Sequence, residues 1–226
     1  MAGRSGLSAR GACLRVLIEG AGEPAQQMAT DTALLEAFLA GAIPPTLRLY
    51  RWTSPAITYG LNQQLPNTLI QEAERLGVPL FRRPTGGKAV LHGHDLTIAL
   101  VWDSGARFPR QAYEQVLPTL IRAFQRVGVP ATVGHAPPAS PLSTYDGGDC
   151  FAVPSTSDIV HAETGQKLMG CALRVLQGAT LLQASIPLQM PRLPTERLFG
   201  WAHPQPPPYD EEALTAALVE CLSERF

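Results

Sequence analysis

The chain has 226 residues, 45% of them hydrophobic and 16% charged, and a formal net charge of −1. That composition supports a sizeable core and excludes a disordered chain. The near-neutral balance argues against general nucleic-acid binding, which needs a basic face. No apolar run approaches the roughly 18 residues of a membrane span. Arg4 and Arg10 are not followed by a secretory apolar segment, so the expected compartment is the cytoplasm, with no membrane partner.

Residues 1–11, rich in Gly, Ser and Arg, are expected to be disordered. A strand is predicted over 14–18, closed by Gly20 and Gly22. A helix follows over 28–39, with Leu34, Leu35, Phe38 and Leu39 on one stripe and Gly41 just past its end. Asp31 is expected to cap or terminate local structure. Alternation predicts strands over 47–52 and 56–59, and a short helix over 67–76 ends at Gly77. Further strands are predicted over 78–82, 89–92 and 96–102. Tyr113, Val116, Leu117, Leu120, Phe124 and Val127 keep helical spacing up to Gly128.

The segment 136–141 is a loop by composition. Strands over 159–161, 167–176 and 179–186 read as a meander. Residues 204–208 form a proline-rich, stiff linker, and Asp210 caps a last helix over 210–223 with Leu214, Leu218 and Cys221 on one side. The segment after the prolines is too short to fold alone, so 12–226 reads as one domain. Strands and helices cluster unevenly, which favours an α+β fold: a mixed or antiparallel sheet with helices packed against it.

Four cysteines without a C-x-x-C pair argue against a disulfide framework or a zinc ribbon. Cys13, Cys171 and Cys221 lie in or beside apolar runs and are assigned to the core. Cys150 differs in following the turn-rich Asp146-Gly147-Gly148-Asp149, a segment able to expose its thiol, although a cysteine taken alone is more often buried. The run Arg82-Arg83-Pro84-Thr85-Gly86-Gly87-Lys88-Ala89-Val90-Leu91-His92 joins anion-binding side chains to a turn that lets backbone approach a ligand. Strand alternation implies that only one of Arg82 and Arg83 faces a pocket. His92 and His94 lack a third ligand at metal-binding spacing, so no metal is expected; His92 is placed on the pocket wall and His94 in a turn.

Several blocks in order resemble the group of lipoate–protein ligase A, octanoyltransferases and biotin–protein ligases. Leu47-Arg48-Leu49-Tyr50-Arg51-Trp52 through Tyr59-Gly60 resembles one element of that group. The Arg82–His92 run, continuing to Asp95-Leu96-Thr97, resembles its acyl-binding signature. Phe151 to Ser155 and Gly165-Gln166-Lys167-Leu168-Met169-Gly170 resemble two more blocks. Cysteine at 150, the His-x-x-Asp-Leu-Thr continuation and the single helix after the catalytic region are similar to the octanoyltransferase branch. Two blocks depart from the pattern, at Gly170-Cys171-Ala172-Leu173 and at Leu181-Leu182-Gln183-Ala184-Ser185.

The resemblance implies a biotin/lipoate ligase catalytic-domain fold and an acyltransferase with Cys150 and Lys167 as catalytic residues. Arg82, Arg83, Thr85, Gly86, Gly87, Ala89, His92 and Gly170 would bind substrate. The donor would be octanoyl-acyl carrier protein, and the acceptor a lysine of a lipoyl-domain or glycine-cleavage H-type protein. No cofactor is required, because a thioester is already activated. Lys167 would lower the Cys150 pKa and, when neutral, accept the proton of the acceptor amine; backbone N–H groups near Gly86, Gly87 or Lys167 would hold the oxyanion. Two alternatives stay open: a lipoate–protein ligase domain using ATP and Mg, with Arg82 and the Gly86-Gly87 turn on phosphate, and a non-catalytic protein that binds acyl groups or carriers.

Overall fold

Strand β6 (Asp95–Asp103) shows how the chain is organised, since every residue up to Trp102 is buried. Alternation along it sends Leu96, Ile98, Leu100 and Trp102 to one side and Ala99 and Val101 to the other. Both faces of the sheet are therefore covered, which is why the segment reads as a continuous apolar run and not as an alternating one. The computed structural model describes residues 13–135 and 148–226. The expectations for 1–11 and for a loop over 136–141 lie outside the described residues.

Around β6 a seven-stranded sheet has the order β1-β2-β6-β10-β9-β8-β7. Its other strands are β1 (Arg15–Gly22), β2 (Thr46–Trp52), β7 (Ala131–Val133), β8 (Ile159–His161), β9 (Lys167–Leu176) and β10 (Ala179–Pro187). Within this sheet, among the described residues, β1 and β2 pair in parallel and the other neighbours are antiparallel. A second sheet, β4-β3-β5, is formed by β3 (Ala56–Tyr59), β4 (Leu80–Arg82) and β5 (Val90–His92). One face of the large sheet carries α3 (Pro109–Arg126) and α5 (Glu211–Ser223); the other carries α1 (Pro24–Leu39). Helices α2 (Asn67–Arg75) and α4 (Thr195–Phe199) pack on each other beside the small sheet. The mixed α+β architecture is the one expected.

Several boundaries move. The first strand runs through Gly20 to Gly22, with an irregularity between Ile18 and Ala21, so those glycines lie inside it. Helix α1 starts four residues early because Pro24 occupies its first turn, where a missing N–H costs nothing. Its buried stripe includes Gln27 and Asp31, and these polar residues hide the first turn from an apolar periodicity. Asp31 therefore does not cap or end anything. It sits mid-helix and fully buried, accepting from Arg48 Nη1, Tyr50 OH and Gln183 Nε2, each at 2.7 Å. Burial raises its pKa, and Arg48 opposes that rise. Strand β7 and helix α4 are short elements with no periodic signal. Asp210 accepts from Ala213 N at 3.0 Å, the predicted cap of α5. Pro206 is buried, so the proline stretch lies against the body of the protein.

Candidate active site

The two sheets face one another across a narrow slot with about 30 Å³ of free volume. The large sheet contributes Gly170, Ser185, Thr97 and Tyr50, and the small sheet Thr58, Val90 and His92; Met28 of α1 and Cys150 also line it. The polar side chains of this wall are mutually satisfied. Asp95 Oδ2 accepts from Thr97 Oγ1 at 2.9 Å and Ser185 Oγ at 2.7 Å, and pairs with His92 Nδ1 at 2.8 Å. His92 Nε2 pairs in turn with Thr58 Oγ1 at 2.9 Å. With their heteroatoms tied to one another, these residues turn carbon toward the slot. Burial works against the Asp95 charge, but His92 and the other donors hold its carboxyl well below the usual range.

Cys150 is placed by the small sheet. Its N–H donates to Ala89 O at 2.7 Å, and Ala89 N–H donates to Gly148 O at 2.7 Å, forming a short parallel bridge beside β5. The preceding Asp149 is fully buried and accepts from Trp201 Nε1 at 2.6 Å, with His203 Nε2 at 2.7 Å. Lys167 opens β9 in the large sheet. Its Nζ lies 3.3 Å from Cys150 Sγ, 2.6 Å from Cys150 O and 2.8 Å from Asp158 Oδ2. An ammonium has three protons, and each has an acceptor here. Asp158 is fixed by Ser155 N and Oγ, both at 2.8 Å, and by Cys171 N at 3.3 Å. Gly170 leaves room for this pair: a Cβ there would stand 3.2 Å from Cys150 Sγ and 3.4 Å from Lys167 Cε.

The electrostatics set the expected downward pull of Lys167 on the Cys150 thiol against burial, and correct the expectation of a neutral Lys167. Burial pushes the Cys150 thiol up, and although Lys167 and Arg83 pull it down, Asp158 and Asp149 add to the rise. The net direction is upward. Burial also disfavours the Lys167 ammonium, but Cys150 and Asp158 outweigh it and hold the lysine above its ordinary value. A neutral Lys167 acting as a base does not fit this setting.

Arg83 and Arg82 part company, as alternation requires. Arg83 is buried and its guanidinium is saturated: Nε donates to Thr85 Oγ1 and Gly86 O, Nη1 to Thr58 O and Oγ1, and Nη2 to Gly86 O and Lys88 O. It clamps the glycine turn, leaving no donor for a ligand phosphate. Arg82 points outward, over the Tyr59 ring and toward Leu61 O. Gly87 has φ +85°, and its carbonyl packs on Gly60, whose Cβ would come within 2.1 Å of that oxygen. Thr85 lies behind the slot and donates to Gln183 Oε1 at 2.8 Å. Thus Cys150, Arg83, His92 and Gly170 line the slot, Lys167 reaches Cys150 from its edge, and Thr85 and Ala89 stand behind it, while Gly87 is exposed and Arg82 faces away. The N–H of Gly86 is directed to Leu173 O at 3.5 Å. His94 lies in the turn after β5, buried, with its Nδ1 unpartnered among the described residues. Cys171 and Cys221 are buried, but Cys13 is exposed just before β1, outside the core to which it was assigned.

Sequence reasoning missed Asp158, Asp149, Trp201 and His203. Asp158 stands in a turn-rich stretch with no periodicity, and the Asp149 partners lie 52 and 54 residues further on. Beside Lys167 and Phe151, a wider cavity of about 310 Å³ is lined by His94, Trp201, His203 and several prolines.

A family model for the lipoyl protein ligase A/B catalytic domain matches residues 23–203. The chain belongs to this family. Octanoyltransferase LipM of Oceanobacillus iheyensis is 35% identical over 173 residues, covering 74% of this chain and 61% of that protein. The chain thus spans about three fifths of that relative's length. Among solved structures, lipoate-protein ligase A bound with ATP superposes with a TM-score of 0.70 at 22% identity, covering 95% of this chain and 85% of that one. A bipartite lipoate protein ligase from Thermoplasma acidophilum, described with its E2 lipoyl domain, gives a TM-score of 0.67 at 19% identity, covering 93% and 82%. At these identities the structural likeness concerns the fold. No helix among the described residues is long and apolar enough to cross a membrane.

Proposed function

We propose that this protein is an acyltransferase that moves an octanoyl group from acyl carrier protein to a lysine of a lipoyl-domain or H-type protein, through a thioester on Cys150. The observation that carries this reading is the 3.3 Å approach of Lys167 Nζ to Cys150 Sγ beside a carbon-lined slot. The relatedness to octanoyltransferases supports it. Cys150 sulfur attacks the donor carbonyl, the bond to the carrier sulfur breaks, and the Cys150 proton ends on the carrier thiol. The acceptor, arriving as a free amine, then attacks acyl-Cys150. An amide forms, the carbon–sulfur bond breaks, and one amine proton ends on Cys150. Thioester exchange is nearly balanced and amide formation runs downhill, so neither step needs a nucleotide.

Lys167 acts here as a fixed cation and not as a proton acceptor. Held protonated beside Asp158, it stabilises the negative sulfur that appears as Cys150 attacks and again as it leaves. The wider cavity next to Lys167 offers the carrier arm and the acceptor lysine a route to the sulfur. A ligase using ATP and Mg fits these residues poorly, since Arg83 has no free donor and Arg82 faces away.

Intact-protein mass spectrometry after mixing with octanoyl-acyl carrier protein tests the reading. Wild type should gain one octanoyl group, labile to hydroxylamine, and Cys150→Ala should gain none and transfer nothing. An unmodified wild-type protein that still transfers octanoyl would overturn the thioester route.

A further inference from the structure

We infer that Met28 and Tyr50 form the end wall of the slot and limit the acyl chain to about eight carbons, an inference that rests on the transferase reading above. Sheet register supplies the argument. Gly170, Ser185, Thr97 and Tyr50 are direct partners across β9, β10, β6 and β2, so they form one row across one face of the sheet. Three strand spacings separate Gly170 from Tyr50, about 14 Å. Cys150 Sγ sits over the Gly170 end, 3.2 Å from where a Cβ would be.

An extended chain advances about 1.2 Å per bond, the reach of an extended backbone divided among its bonds. From sulfur to the last carbon of an octanoyl group there are eight bonds, hence about 10 Å. A methyl in contact with a ring needs about 4 Å more. The sum matches the row. A straight chain laid from Cys150 across Ser185 and Thr97 meets Tyr50 at its eighth carbon.

Tyr50 is fixed. Its hydroxyl donates to Asp31 Oδ2 at 2.7 Å, and the Arg48 guanidinium lies 4.0 Å from the ring centre. Met28 differs: an unbranched thioether in the apolar cluster around Tyr50, its sulfur accepting a weak hydrogen bond from Gln183 Nε2 at 3.9 Å. With about 30 Å³ free, seating a chain in the slot requires lining side chains to move, and Met28, unbranched and without a strong polar tie, moves at less cost than the anchored Tyr50. It therefore adjusts the end of the slot, whereas Tyr50 sets it.

The test offers wild type, Met28→Ala, Met28→Val and Met28→Phe to mixtures of carrier protein loaded with six-, eight-, ten- and twelve-carbon chains. Adducts on Cys150 are read by intact mass, and folding is followed by thermal melting. Wild type should prefer eight carbons. Met28→Ala and Met28→Val should move the preference toward ten or twelve, with the ten-to-eight ratio rising about tenfold or more; Met28→Phe should move it toward six. If Met28→Ala does not fold, Met28→Val decides. An unchanged length profile in a folded variant that still accepts octanoyl overturns the end-wall assignment and leaves the transferase reading intact. Failure of wild type to accept any chain overturns the transferase reading instead.

Discussion

Replacing Asp158 by Asn should make Cys150 more reactive while making the protein less stable. Lys167 sits between the Asp158 carboxylate at 2.8 Å and the Cys150 sulfur at 3.3 Å, the first a standing anion and the second an anion only once it loses its proton. With an effective dielectric of about 20, a full charge pair at those separations is worth about 6 and about 5 kcal/mol respectively. The two are close, so the carboxylate is the competitor that leaves the sulfur free to stay protonated in a buried site. Asn keeps the shape and removes the charge, which transfers the task of neutralising Lys167 to the thiolate.

If a quarter of the 5–6 kcal/mol reaches the thiol equilibrium, about 1.4 kcal/mol, the thiolate fraction near neutral pH rises about tenfold. Alkylation of Cys150 by iodoacetamide as a function of pH, site-resolved by peptide mass spectrometry, measures this directly. The profile should shift to lower pH, with melting lowered by several degrees because a buried pair has been broken. An unchanged profile, or one shifted to higher pH, would refute the competition between Asp158 and Cys150 for Lys167.

Two glycines and a buried histidine give three further expectations. Gly170→Ala places a Cβ 3.2 Å from Cys150 Sγ; octanoyl transfer should fall about 10–100-fold while melting changes by a few degrees at most, and wild-type turnover would count against the packing argument. Gly60→Ala sets a methyl 2.1 Å from Gly87 O, so the glycine turn must shift; stability should drop by about 1–3 kcal/mol in a denaturant titration, and unchanged stability would contradict it. His94, pulled down by burial to about 4 from an ordinary 6.5, binds a proton more readily unfolded than folded between those values. Its contribution is therefore complete above pH 6.5 and is lost as pH falls toward 4, by about 3 kcal/mol; His94→Gln should flatten that part of the stability profile.

Much of the fold was legible because its elements announce themselves by period. The long helix α3 and the strands of the meander carry their own spacing, and β6 betrays double burial by its unbroken apolar run. The candidate site was legible in two of its side chains, a cysteine after a glycine-rich turn and a lysine opening a strand, which the fold brings to 3.3 Å. Its supports were not. Asp158 and Asp149 do their work through partners that only the folded chain brings near, and neither sits in a periodic segment. Arg83 was legible in its place beside the slot but not in its bonding. It stands in the most distinctive motif of the sequence, yet its donors face inward to carbonyls of its own turn. Residue type marks it as ligand-binding; the count of available hydrogens says otherwise.

The bridge at Ala89 has a consequence for how this pair is inherited and repaired. Cys150 hangs from the small sheet through Ala89, while Lys167 belongs to the large one. Their separation is thus a gauge of alignment between two bodies of secondary structure. A substitution in β3 or β5, well away from sulfur and nitrogen, can part them by sliding one sheet on the other. A compensating change on β9 can bring them back. Variation in this protein should be read in such pairs, one residue from each sheet, before any single position is blamed for a lost activity.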